Sequence, residues 1–321
     1  MSYLSKKNIA DIYPLSPMQK GMLFHAVYDP DSSVYFEQFC CVIEGALDLA
    51  CFEGAWNHLI ESNPIFRTVF NWKDLSQPVQ IVLKTRPIGL NVHDWKNQSQ
   101  EEQDRRIEDF MREDRQRLFD LAKGPLMRFT LLELGERRWY FIWSYHHILF
   151  DGWCLSHIMT DFYLAYAALR DGRSLPHSTR PPYKSYIAWL AKQDKKKAQT
   201  FWSGLLMGFD TPTPLPWDHK PKESAINIAK REITISPAVT ALLQDFARSR
   251  RITMSTLVQA AWAILLHRYS NNADIVFGAT VSGRPTDLRS SEDIVGLFIN
   301  TLPVRTVFTK DLSVADLLQN L

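Results

Sequence analysis

No run of about 18 apolar residues occurs anywhere in the 321-residue sequence, so it offers no membrane-spanning helix. Met1–Ala10 is polar and lacks the apolar centre of a secretory signal. Cysteine is scarce: Cys40, Cys41, Cys51 and Cys154 are the four, two of them immediate neighbours, with no CxxC spacing. That argues against a disulfide framework or a cysteine-based metal site, and it leads us to expect reduced thiols in a cytoplasmic protein. Charge of one sign is also missing. The 37 basic and 35 acidic residues leave a net +2, too little field to imply nucleic acid as a partner. The one basic run, Lys192–Lys197, is interrupted by Gln193 and Asp194 and reads as a solvated helix face, with docking of an acidic protein as the alternative. A GxSxG nucleophile motif, low-complexity tracts and readable repeats are all absent.

What remains is a globular composition, 45% hydrophobic and 22% charged, on a chain long enough for two lobes or one large α/β unit. Apolar periodicity predicts helices at Gln19–Val27, Phe52–Leu59, Asn97–Phe119 and Cys154–Leu169. Pro64 ends the second, because the residue before proline avoids the helical region. Strands are predicted at Phe39–Ile43 and Phe66–Trp72. Met127–Leu134 and Arg138–Tyr145 should pair as an antiparallel hairpin around Gly135 and Glu136.

Asp171, Gly172 and the proline-bearing stretch Leu175–Tyr183 form a linker candidate, and a second proline-rich loop spans Thr211–Lys222. Between them Tyr183–Leu206 is predicted helical. Glu232–Ile235 follows as a strand, then a helix capped by Ser236 with Pro237 in its first turn. A helix at Ser255–Tyr269 and a strand at Asp274–Val281 complete the pattern. The expectation is a mixed α/β chain with lobes at 1–175 and 176–321.

One segment carries chemistry: Tyr145-His146-His147-Ile148-Leu149-Phe150-Asp151-Gly152-Trp153, where an aromatic strand gives way to a helix. Side chains alternate along a strand, so if pairing runs to His147, then Trp143, Tyr145 and His147 share one face while Ser144 and His146 share the other. The two histidines should therefore differ in role. A histidine at a strand end can take a proton from an amine attacking a carbonyl. Gly152 lets backbone N–H approach a ligand or oxyanion closely. Asp151 could ionise beside the ring, or pair with an arginine and hold the turn. The purely architectural alternative is a buried turn with His146 hydrogen-bonded and Asp151 capping the next helix. Zinc fits poorly, since adjacent histidines splay apart and no third ligand lies at helical spacing.

The pattern HHxxxDG, filled by His146 through Gly152, resembles the signature of condensation domains of nonribosomal peptide synthetases and their chloramphenicol acetyltransferase-like relatives. Other segments resemble that family in the same order: Tyr13–Phe24, Asn63–Phe70 with Arg67, Phe119–Leu121 with Gly124–Arg128, Tyr183–Tyr186 with Trp189, Phe201-Trp202, Thr280–Pro285 and Gly296–Arg305.

The resemblance implies two chloramphenicol acetyltransferase-like lobes in a V-shaped arrangement. Its implied activity is amide formation between a donor acyl or peptidyl thioester and the amine of an acceptor aminoacyl thioester. Both would ride on phosphopantetheine arms that partner carrier domains supply and that enter from opposite faces of the cleft. No tightly bound cofactor or metal is implied for the chain itself. Donor and acceptor carrier domains and an adjacent adenylation domain are the implied partners.

By position, His147 would face the reacting groups as base or as positioner of the amine. His146 would support it, and Gly152 would offer backbone contact near the carbonyl. Asp151 would be structural and paired with Arg67. Trp153, Ser282 and Asn300 would line the substrate tunnel. Family members continue well beyond the Asn300 motif, so the second lobe is expected to be truncated at Leu321. Asn63-Pro64 stands where a basic pair is common. The alternatives are an epimerisation domain, which shares HHxxxDG, and a silent carrier-recruitment module. A heterocyclisation domain is disfavoured, since aspartates replace its histidines.

Overall fold

A computed structural model describes residues 5–177, 180–215 and 231–321. Met1–Leu4 of the polar N-terminus, Ser178 and Thr179 of the linker candidate, and Pro216–Lys222 of the second proline-rich loop lie outside the described residues. The chain divides into two units, the first comprising Met1–Gln193 with Ser282–Asn300, the second Asp194–Val281 with Thr301–Leu321.

In the first unit, β2 (Phe36–Glu44), β5 (Leu90–Asp94), β6 (Met127–Gly135) and β7 (Arg138–His146) form a four-stranded sheet in the order β2-β7-β6-β5. β7 runs antiparallel to β2 and β6, and β5 runs parallel to β6. The hairpin of β6 and β7 is the one the sequence predicts. A smaller sheet orders β1 (Ile9–Pro14), β4 (Val79–Leu83) and β3 (Thr68–Asn71) as β1-β4-β3. Inward residues of β7 alternate between two apolar clusters. Phe141, Trp143 and Tyr145 join the main core with α2 (Leu49–Ser62) and α4 (Leu155–Arg170). Ile142 joins Trp95 and Ile107 beneath α3 (Gln100–Gln116). The aromatic strand is thus covered on both faces, and Trp56 on α2 stacks on Phe129 with ring centroids 4.4 Å apart.

Local chemistry sets the helix starts. Ser16 caps α1 (Pro17–Tyr28) in a reciprocal box with Gln19, with Pro17 in the first turn. Asp48 and Ser99 cap α2 and α3. Pro64 does stop α2, but a 3-10 turn over Pro64–Arg67 follows, so β3 begins at Thr68 rather than Phe66.

The expected boundary at 175/176 is not where the structure divides. Helix α5 (Lys184–Leu190) belongs to the first unit because Tyr183 and Tyr186 are buried in its main core, Tyr186 lying 4.3 Å from the Phe298 ring centroid. The single helix predicted for Tyr183–Leu206 is two. Asp194 turns its carboxylate onto the N–H groups of Lys196 and Lys197 and starts α6 (Lys195–Leu205) anew. The lysines of the basic run are exposed.

The second unit holds α6, α7 (Pro237–Arg250), α8 (Met254–Ser270), α9 (Val314–Asn320) and a two-stranded sheet of β8 (Asp274–Val281) and β9 (Asn300–Val307), whose first residue, Asn300, falls in the first unit. Ser236 caps α7 as predicted. Glu232–Ile235 is not a strand: among the described residues it takes irregular backbone that leads into that cap. Among the described residues no helix is long and apolar enough to cross a membrane.

Candidate active site

Strand pairing on β7 stops at His146, opposite Phe36, one residue short of the possibility raised by the sequence. The N–H of His147 instead donates to the carbonyl of Tyr35 at 2.8 Å. Tyr35 itself is held at φ 70°, the left-handed region, which ends the β2 edge sharply. The two histidines part company here. His146 is buried; its Nδ1 accepts the N–H of Ile148 at 3.1 Å, and burial, with the neighbouring His147 charge, pushes its pKa down to about 4. His146 is therefore a neutral acceptor that shapes the turn. His147 is only partly buried, and its Nδ1 is enclosed without a hydrogen-bond partner among the described residues. The indoles of Trp56 and Trp143 also lack partners, but they lie within an aromatic cluster whose ring faces can accept N–H.

Asp151 is buried, 1% exposed, and its Oδ2 accepts the backbone N–H groups of Phe298 (2.8 Å) and Ile299 (3.0 Å). Its charge partner is Arg284 at 3.7 Å. The guanidinium of Arg284 also donates to the carbonyls of Ser291 and Ile294 and lies 4.2 Å over the Phe298 ring. This corrects the expected pairing of Asp151 with Arg67. The Arg67 guanidinium donates instead to four carbonyls, those of Ile60 (2.8 Å), Glu61 (3.0 Å), Leu83 and Lys84 (2.9 Å), and so ties the end of α2 to the end of β4. Nor does the Asp151 side chain cap the following turn. Cys154, one turn on, is packed against Gly296 and Arg284, and its thiol pKa is pushed up to about 11 by burial and then by the Asp151 charge.

His146, His147, Asp151 and Gly152 therefore sit on one turn, with Ser282–Asn300 tied to it through Asp151. Gly152 is exposed, and a Cβ built there meets no atom within 4 Å. Trp153 is 64% exposed. Ser282 and Asn300 are exposed too, Ser282 just after β8 and Asn300 directly after the Asp151-bound Ile299. Arg67 is not brought to this turn. Two residues that hold the site carry no role from sequence: Arg284 stands unassigned inside the Thr280–Pro285 motif, and nothing local marks Tyr35. Among the described residues no three histidine, cysteine or acidic side chains are grouped to hold a metal ion.

Residues 9–321 match the family described as Condensation domain. The chain is 38% identical over 324 residues to gramicidin S synthase 2 of Brevibacillus brevis, covering 99% of this chain and 7% of that protein. It is 37% identical to surfactin synthase subunit 3 of Bacillus subtilis, covering 100% of this chain and 25% of that protein. The starter condensation domain of rhizomide synthetase, solved in complex with C8-CoA, superposes with a TM-score of 0.78 at 26% identity, over 96% of this chain and 69% of that one. The fold is thus that of a condensation domain. The chain belongs to the condensation-domain family of nonribosomal peptide synthetases, and it spans a small fraction of the curated relatives' length.

Proposed function

We propose that this domain forms an amide bond between a donor acyl or peptidyl thioester and the amine of an acceptor aminoacyl thioester, each on the phosphopantetheine arm of a carrier domain. The amine nitrogen attacks the thioester carbonyl, the C–S bond breaks, and the donor thiol leaves with the proton the amine gives up. A thioester is already activated, so orientation matters more than a covalent nucleophile.

One observation carries the reading: His147 presents a partly exposed imidazole with a buried Nδ1 that none of the described residues satisfies, on a turn where the side chains of His146 and Asp151 are both bonded. That ring would accept the amine proton or hold the amine by hydrogen bonding. The open space at Gly152 leaves room for the carbonyl beside backbone N–H. Asp151 and Arg67 serve architecture, at two separate places. Trp153, Ser282 and Asn300 are assigned to the substrate path on the family resemblance, as are the adenylation domain as neighbour and the cytoplasm as compartment.

The test is a single-turnover reaction of the synthetase bearing this domain with two loaded carrier domains. Wild type should place new amide on the acceptor, and His147→Ala should lose most of it while remaining folded. Inversion of one carrier-bound stereocentre without amide would indicate epimerisation, and carrier binding without either product a recruitment module. Either result overturns the proposal.

A further inference from the structure

Where β2 and β7 run out beside His147, two more polar side chains stop short of any partner. Glu37 on β2 stands directly opposite Tyr145 on β7. Residues directly opposite in an antiparallel pair share a face, with Cβ atoms about 4.5–5.5 Å apart. His147 is two residues on from Tyr145, and its N–H meets the carbonyl of Tyr35, two residues before Glu37. Glu37 is partly buried, and its carboxylate has no hydrogen bond or ion pair among the described residues. Tyr145 is 7% exposed, and its hydroxyl has no hydrogen bond among the described residues either. Its ring is held between those of Trp143 and Phe150, with centroids 4.9 and 4.5 Å away, so the hydroxyl cannot swing off to find one. Burial raises the Tyr145 pKa and the nearby Glu37 charge raises it further, which keeps the phenol neutral.

Buried polar groups are ordinarily bonded, so a carboxylate, a phenol and an imidazole left open at one strand end call for a ligand. The carboxylate can only accept, and the phenol and imidazole can each accept. Three acceptors suit a cation with several N–H groups. An aminoacyl acceptor carries one at neutral pH, its α-ammonium. A charge on an edge strand such as β2 also discourages pairing with another chain, but that role needs no open hydroxyl across from it. We propose that Glu37, with Tyr145 beside it, binds the α-ammonium of the acceptor aminoacyl thioester next to His147. The inference rests on the reading of His147 given above. Before attack the ammonium passes one proton to the His147 imidazole and thence to water. The C–N bond then forms, the C–S bond breaks, and the amine's second proton leaves with the donor thiol.

The experiment presents the acceptor amino acid that the synthetase loads as its soluble N-acetylcysteamine thioester, at varied concentration, to the synthetase with a loaded donor carrier. The 2-hydroxy counterpart, with hydroxyl in place of the amine, is measured as a competing inhibitor. Rates are taken per folded protein. Glu37→Gln should raise the aminoacyl concentration at half-saturation about 10-fold, the lower end for a hydrogen bond to a charged group. Its saturating rate should stay within about threefold of wild type, and inhibition by the uncharged counterpart within about twofold. Glu37→Asp should recover part of the loss, and Tyr145→Phe should show a smaller rise, about threefold, of the same kind.

An unchanged half-saturation for Glu37→Gln overturns the proposal, since the carboxylate would then be a solvated edge charge. An equal loss of the charged and uncharged ligands overturns it too, since the substitution would then have disturbed the site as a whole. If Glu37→Gln does not fold, Glu37→Asp and Tyr145→Phe are judged by the same contrast between the two ligands. A wild-type rate for His147→Ala would instead remove the reading of His147 itself.

Discussion

Asp151 and Arg284 meet at 3.7 Å, with the Asp151 side chain fully enclosed and the arginine nearly so. Two chain segments far apart in sequence are joined by this pair together with the Phe298 and Ile299 amides. The turn that carries His147 is thereby fastened to the stretch leading into β9.

Removing either member strands the other's charge in the interior. Asp151→Ala or Arg284→Ala should each cost about 3–5 kcal/mol in urea unfolding. The double variant should cost less than the sum by about 1–3 kcal/mol, since the two share one interaction. Arg67→Ala combined with Asp151→Ala should instead add to within about 0.5 kcal/mol, because those side chains have no common partner. Clear coupling between 67 and 151 would show that the partners assigned to them are wrong.

That pairing marks the limit of what the sequence reveals. Periodicity finds α1 to α4, β6 and β7, because long apolar stripes and turn residues speak locally. HHxxxDG finds the turn for the same reason. β1, β4 and β5 are short and their ladders are non-local, so nothing in their own residues announces them. Which of two arginines meets Asp151 depends on the path of the chain between β8 and β9, and no local pattern encodes that. The helix break at Asp194 was legible in principle, since an aspartate two residues before a lysine N–H is a capping signal that charge counting alone hides.

Three glycines separate packing from reactivity. A Cβ at Gly283 falls 1.9 Å from the Phe298 carbonyl oxygen at a φ of 64°, and one at Gly296 falls 2.0 Å from the Tyr183 ring. Neither neighbour is a free side-chain end, so Gly283→Ala and Gly296→Ala should lose several kcal/mol or fail to fold. Gly152→Ala meets nothing and should melt within a degree or two of wild type. Its amide-forming rate should nevertheless fall, because the added methyl intrudes where the thioester carbonyl would lie. A folded Gly152→Ala domain at full rate would remove Gly152 from the reaction.

The thiol of Cys154 should be silent toward alkylation in the native domain. With its pKa pushed up to about 11, about one thiol in a thousand ionises at pH 8, and the group is buried besides. Iodoacetamide followed by peptide mapping should label Cys154 only as fast as the domain opens. Labelling at the rate of partly exposed Cys51 would mean that the Asp151–Arg284 region opens readily in solution.

His146 makes folding depend on pH in a defined window. Its imidazole has a pKa near 6.5 in the unfolded chain and about 4 in the fold. Between those values the unfolded state binds the proton and the native state does not, so acid favours unfolding. The stability carried by the neutral ring is complete above pH 6.5 and is lost as pH falls toward 4, a total of about 3 kcal/mol. His146→Asn keeps an oxygen near the position of Nδ1 to accept the Ile148 N–H but cannot titrate. Urea midpoints measured from pH 7 to pH 4 should therefore decline less steeply for His146→Asn than for wild type. Parallel curves for the two would mean that this ring is not a buried neutral acceptor, and that another group holds the turn beneath His147.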